Sequence, residues 1–401
     1  MSEAAAQDFV IEETTVAGVQ QALQTNVRTG RQIVQAYLDR IAAYDHKGPA
    51  FNSILTLNPK ALAEADRLDA ERATGATGAP VGPLHCVPLV LKDNFNTADL
   101  PTTGGSASLA GMLPPADAFV VAKLRNAGAI ILGKSNMHEF ALSGTTVSSL
   151  GGQTLNPYDL TRTSGGSSGG TGTAVAANLA LAGTGSDTVN SIRSPASASA
   201  LVGIRPTKGL VSRAGIMPVS ETQDAIGPIT RTVADAARLL EVMAGYDQND
   251  ASTASSIGNT PVGYIQFLKP GSLHGARVGL LKTLLGSDSE HQEVNSVIAA
   301  AMVALEGGGA ELIEVDAPAL DTGRLNVDND VQKYEFKALL NAYLAAFFNA
   351  PAKSLAEIIA SGKFHKPSLE KFLFSAQSFA NGLEDRTTRN GCFETSAQGR
   401  Y

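Results

Sequence analysis

The chain has 401 residues, 43% hydrophobic and 17% charged, which fits one large or two ordinary globular domains and excludes a disordered chain. A formal net charge of −7 gives no long-range attraction to nucleic acid or anionic membranes, so neither is an expected partner. Two isolated cysteines, Cys86 and Cys392, supply neither a disulfide framework nor a metal-ligand spacing.

The first residues, MSEAAAQDFVIEE, are acidic and lack a basic region followed by an apolar stretch, so no secretory signal is expected. From Thr15 to Tyr44 apolar residues recur at helical spacing (Val19, Leu23, Ile33, Tyr37, Ile41). Asn58-Pro59 opens a second helical stretch, rich in Ala, Leu and Glu, that ends near Gly75. The turn-rich GATGAPVGP leads into an apolar run, VPLVLKDNF. Ala118 to Asn126 reads as a helix ended by Gly128, and AIILG reads as a short buried strand. The alternation returns at Ala276 to Leu281 and His291 to Leu305, which points to an α/β fold. The most apolar runs, Thr173 to Leu181 and Ala127 to Leu132, are too short to cross a bilayer, and a soluble cytoplasmic protein is expected.

Between Gly144 and Arg205 the texture changes to Gly, Ser and Thr, with helical period only from Thr171 to Leu181. An apolar helix flanked by two Ser/Gly loops describes this better than a flexible linker. The first loop, Thr163 to Thr171, reads TSGGSSGGT. Three readings compete there. Glycine amides at a helix start can bind phosphate, but Thr171-Gly172 stands where a Walker loop needs Lys-Ser/Thr. Gly165 to Gly169 matches the G-x-S-x-G nucleophile elbow, but Asn156 to Ser164 is too polar for the strand that should precede it. A glycine-rich structural turn is the third reading. The second loop runs from Gly183 to Pro195 as GTGSDTVNSIRSP.

The order LKDNF, ILGKSNMHEF, GQTLNPYD, GGSSGG, GSDTVNSIRSPAS, RPTKG and GPITRTV, from about Gly82 to Asp247, resembles the amidase signature family of serine hydrolases. The resemblance implies an α/β fold: a mixed, twisted β-sheet core covered by helices on both sides. It implies one domain over 1–401, with N-terminal helices to about 75 and a signature core over about 82–247. Position by position, the family's triad falls on Lys92 as buried base, Ser167 as bridging serine after a cis peptide bond, and Ser191 as nucleophile. The spacing of Ser167 and Ser191 favours Ser167 over Ser168. Such chemistry is sound: serine is a weak nucleophile until a base takes its proton, and lysine is that base only when burial lowers its pKa.

The resemblance also assigns the oxyanion hole to the backbone amides of Thr188, Val189, Asn190 and Ser191. Val189 and Asn190 stand where family members usually carry glycine; amides survive that change, and Asn190 is expected to need an unusual φ. Asp187 and Arg193 are expected to hold the loop by hydrogen bonds, and Ala141 to lie near the acyl-side wall of the pocket. His46, His85, His138, His274, His291 and His365 form no metal-like cluster and receive no role. No metal or organic cofactor is implied. The expected partners are a small-molecule amide substrate and, as an open alternative, a second copy in a homodimer.

Past Gly382 the tail EDRTTRNGCFETSAQGRY has no apolar period, whereas family members usually continue, so a C-terminally short chain is expected. Three functions follow: a stand-alone amidase, an amidotransferase A subunit that releases ammonia from glutamine for charged-tRNA amidation, or an inactive truncated pseudoenzyme.

Overall fold

A computed structural model describes residues 9–74, 82–261, 263–317 and 330–379, together with 320, 321, 323 and 325. The expectations for the first eight residues, for residues 75–81, for Cys392 and for the tail past Gly382 fall outside them.

The chain divides into two compact units, one of residues 1–262 with 332–401 and the other of residues 263–331. In the first, the helical stretch from Thr15 becomes two helices, α1 (Val16–Gln24) and α2 (Gly30–Tyr44). The break is written in polar caps. Thr15 caps α1 by accepting from Gly18 N, and Thr29 with Gln32 forms a reciprocal capping box on α2. Strand β1 (Ile54–Leu57) and helix α3 (Ala61–Thr74) follow, then β2 (Pro88–Lys92), every residue of which is buried. Helix α4 (Phe119–Asn126) ends at Gly128, whose φ of +90° suits glycine alone, and β3 (Ile130–Ser135) follows.

A small hairpin, β4 (Val147–Ser148) with β5 (Gly152–Gln153), precedes helix α5 (Gly169–Ala176). The next segment corrects the sequence reading. Residues 183–187, expected in a loop, belong to β6 (Ala182–Asp187), a fully buried strand. Helix α6 (Arg193–Ala198), β7 (Val202–Gly203), β8 (Ala225–Thr230) and α7 (Val233–Met243) complete this stretch. The sheet is mixed, in the order β1-β3-β2-β6-β8-β7. Strand β2 runs parallel to both β3 and β6, pairing Lys92 with Ser135 and Val90 with Gly183, while β6 and β8 are antiparallel from Ala182↔Thr230 to Asp187↔Ala225.

The second unit contains β9 (Arg277–Leu281), α8 (Gln292–Gly307) and β10 (Glu311–Val315), with the two strands parallel. Helices α9 (Gln332–Ala345), α10 (Leu355–Ser361) and α11 (Lys366–Ser378) belong to the first unit. They bury Phe336, Leu340, Leu369 and Leu373 against Met137, Phe140 and Met217. The Phe140 and Phe336 rings meet edge to face, 6.2 Å apart. Among the described residues no helix is long and apolar enough to cross a membrane.

Candidate active site

Lys92 ends β2 at the centre of the sheet, where both neighbouring strands run parallel to it. The side chain is wholly buried. Its Nζ lies 2.7 Å from Ser167 Oγ, 2.9 Å from Ser186 Oγ and 3.1 Å from Ser186 O. Burial pushes its pKa down to about 7, against the opposing pull of Asp187 and Asp224.

Ser167 sits at the entrance to α5, and the Gly166–Ser167 peptide bond is cis. Glycines are required here by contact: a Cβ on Gly166 would come within 2.8 Å of Gly144 C, and one on Gly165, at φ +68°, within 2.7 Å of Pro195 Cα. The Ser167 carbonyl accepts from His138 N at 3.0 Å. No strand leads into this turn; residues 156–164 are turn-rich and close through the Leu155–Thr163 bridge, so it is not a nucleophile elbow. Nor is it a phosphate cradle, since Gly169 N donates to Thr146 Oγ1 (3.0 Å) and Gly170 N to Asn136 O (3.1 Å).

Ser191 lies between β6 and α6, 5% exposed. Its carbonyl accepts from Ser168 N at 3.2 Å, which ties the two serine loops together. The structure brings Lys92 and Ser167 into hydrogen-bond contact but does not place Ser191 Oγ in one, with Ser167 or any other described residue. The backbone amides of Thr188, Val189, Asn190 and Ser191 likewise have no acceptor among the described residues. Val189 is half exposed, and Asn190 is exposed without the positive φ expected of it.

The turn is held from below. Buried Asp187 accepts from Ile192 N (3.0 Å) and from Arg193 Nε (3.2 Å), and Arg205 forms an ion pair with it at 3.2 Å. Arg193 also donates to Val189 O. Thr188 Oγ1 donates at 2.6 Å to Asp224, whose burial raises its pKa and which also accepts from Val219 N and Ser220 N. Ala141 is buried at φ +61° in the turn Glu139–Ala141 (a 3-10 helix), within the apolar cluster around Phe140 and Phe336.

Sequence reasoning passed over several residues here. Asn94 Nδ2 donates to Ser186 Oγ at 2.9 Å, and both are buried. Lys134, also wholly buried, donates to Phe95 O and Thr102 Oγ1 (2.7 Å each) and lies 3.5 Å from Asp93 Oδ1; burial brings its pKa down to about 8. His138 is buried and held neutral, its pKa lowered to about 4 chiefly by burial. Their signal was adjacency: Asn94 and Ser186 lie next to or near Lys92 and Asp187 in motifs already quoted. In the second unit the exposed Asp288 and Glu290 and the half-exposed His291 bring ligand atoms close together, so one histidine does have clustered neighbours, though nothing there points to an ion.

This is the amidase signature fold, the architecture of a class of amide hydrolases. The chain belongs to the amidase family, whose profile matches residues 32–389. It is 36% identical over 406 residues to a probable amidase of Arabidopsis thaliana, covering 98% of this chain and 77% of that one. It is 43% identical over 298 residues to the A subunit of the glutamyl-tRNA(Gln) amidotransferase of Thermosynechococcus vestitus, covering 74% of this chain and 59% of that protein. Among solved structures, the peptide amidase of Stenotrophomonas maltophilia superposes with a TM-score of 0.85 at 40% identity, over 92% of this chain and 76% of that one.

Proposed function

We propose that the chain hydrolyses a carboxylic amide to acid and amine or ammonia through an acyl-enzyme on Ser191. The observation that carries this reading is the wholly buried Lys92 with its Nζ 2.7 Å from Ser167 Oγ, on the loop that Ser168 N joins to Ser191 O. Neutral Lys92 takes the Ser167 proton while Ser167 takes that of Ser191, and Ser191 Oγ bonds to the amide carbon. The oxyanion meets the amides of Thr188 to Ser191, which have no acceptor among the described residues. Collapse breaks the C–N bond as Ser167 passes a proton to the leaving nitrogen and regains one from Lys92. Water then gives a proton to Ser167 as Lys92 takes that of Ser167, its oxygen bonds to the ester carbon, and the C–O bond to Ser191 breaks as Ser167 returns a proton to Ser191 Oγ and the acid leaves. The scheme uses no metal or organic cofactor. Closure of Ser191 Oγ onto Ser167 accompanies substrate binding, since catalytic hydrogen bonds are often open without substrate. Ala141 forms part of the acyl-side wall in this reading, and similarity to a peptide amidase favours a peptide-like acyl group.

Intact-mass analysis after exposure to a fluorophosphonate probe tests this. A single adduct on the wild type that is lost in Ser191→Ala supports it; a folded chain without adduct refutes it and favours a pseudoenzyme. The second reading, a glutamine-hydrolysing component of an amidotransferase, is favoured by the 43% identity to the Thermosynechococcus vestitus protein. Ammonia release from glutamine, absent with peptide amides, would establish that reading instead.

A further inference from the structure

We infer that Ser186 and Asn94 are positioning residues that aim the reactive lone pair of Lys92 at Ser167; the inference rests on the reading of Lys92 as the base. A neutral amine has two N–H bonds and one lone pair, and Lys92 Nζ has three neighbours, all within hydrogen-bond reach: Ser186 O, Ser186 Oγ and Ser167 Oγ. The carbonyl of Ser186 can only accept, so it fixes one N–H. If Ser186 Oγ accepts the second, the lone pair has a single remaining direction, toward Ser167, whose O–H then donates into it. When Lys92 gains the proton, the same contact reverses polarity and the other two stay as they were. Only one bond changes sense on proton transfer, so little else must reorganise.

This works only if Ser186 presents a lone pair to Lys92 rather than its own proton, and Asn94 supplies that control. Its Nδ2 donates to Ser186 Oγ at 2.9 Å, while the buried Asn94 Oδ1 has no partner among the described residues. Ser186 Oγ therefore accepts from both Asn94 Nδ2 and Lys92 Nζ, which occupies its lone pairs and turns its own proton away from Lys92. Both groups are rigidly placed. Ser186 lies on β6 paired with Ile226, and Asn94 is anchored by Met217 N donating to its carbonyl at 2.8 Å. The charged or titratable groups acting on Lys92 are Asp187 on β6, Asp224 beside β8, and neutral His138. None of them touches Nζ, so none can direct the lone pair.

The test follows the rate of phosphonylation of Ser191 by a fluorophosphonate probe, by intact mass, from about pH 5 to about pH 9. Ser186→Ala and Asn94→Ala are compared with wild type and with Lys92→Ala. Ser186→Ala is expected to slow labelling about tenfold at all pH values and to lower the midpoint of the acid limb, because the ammonium form loses more than the amine when an acceptor goes. Asn94→Ala is expected to slow labelling several-fold, and Ser186→Thr, which keeps the hydroxyl, to restore most of the rate. Thermal unfolding checks that each variant is folded; if Ser186→Ala is not, Asn94→Ala decides. Wild-type rate and midpoint in the folded alanine variants, with Lys92→Ala inert, overturn the inference. Wild-type labelling of Lys92→Ala instead overturns the reading of Lys92 as base.

Discussion

Replacing Lys92 by methionine, which keeps most of the side-chain volume, separates the chemistry of that position from its packing. In the folded chain burial lowers the Lys92 pKa from 10.5 to about 7. Between those values the unfolded chain holds a proton there that the folded chain lacks, so wild-type stability rises with pH across the window. The rise is about 1.4 kcal/mol per pH unit where the folded group is neutral and the unfolded one charged, or about 2 kcal/mol from about pH 8 to about pH 9.5. Methionine does not titrate and lacks this rise. It also leaves Ser167 Oγ, Ser186 Oγ and Ser186 O without their present partner, at roughly 1 kcal/mol each, an offset that does not vary with pH. Relative to wild type, Lys92→Met is therefore at its best at low pH and loses about 2 kcal/mol of standing between those two pH values. Urea unfolding of both proteins at several pH values gives the two curves. Parallel curves would refute the reasoning, since they would mean that Lys92 titrates alike in folded and unfolded chains.

Ser167→Ala removes the group that touches Lys92, and it is expected to slow fluorophosphonate labelling of Ser191 by about a hundredfold or more, read by intact mass. Asp93→Asn leaves buried Lys134 without its carboxylate and weakens the bonds that Asp93 Oδ2 accepts from Thr103 N (3.1 Å) and Gly105 N (3.0 Å). Its expected cost is about 3 kcal/mol in urea unfolding, and a neutral result would show that Lys134 is buried uncharged. Gly227→Ala puts a Cβ 1.9 Å from Ile204 O beside β8, a contact that backbone movement alone can relieve. A clear drop in melting temperature is expected, by several degrees or more.

How much of this was legible depended on whether a segment declared itself by apolar pattern. Helices α1 to α4 and strands β2 and β3 did, because Ile33, Tyr37, Ile41, Leu89 and Leu91 are the large side chains that bury them. The division of the first stretch at Thr29 was written in cap chemistry, which periodicity does not register. Lys92 was legible only through family resemblance, since a lysine at a strand end is ordinarily a surface charge. The partners that complete its environment, Ser186 and Asn94, stand in motifs the sequence offers, but their contact is not written there: 94 and 186 become neighbours only when β2 and β6 pair. Lys134 and Asp93 were concealed in the same way. Asn190 was expected to need an unusual φ and does not, because the turn is set by what Asp187 accepts from Ile192 and Arg193 rather than by the residue at 190.

Strand β6 was hidden for the same reason that the site can exist. Its sequence, AGTGSD, has no large apolar residue, so it reads as a loop. Yet a Cβ on Gly183 would lie 2.5 Å from Thr171 Cγ2 and 2.8 Å from Val90 O, and one on Gly185 would lie 2.7 Å from Ile192 Cγ1. The strand is small because α5 and the residue that opens α6 sit directly upon it. That close approach carries the start of α5, with Ser167 and Ser168, over Ser186 and the Lys92 amino group. A strand of valines and isoleucines would have been easy to recognise, but it would have lifted α5 away and opened the 2.7 Å contact between Lys92 and Ser167. In this fold the weakness of the hydrophobic signal at β6 and the tightness of the lysine–serine contact are two consequences of one packing requirement.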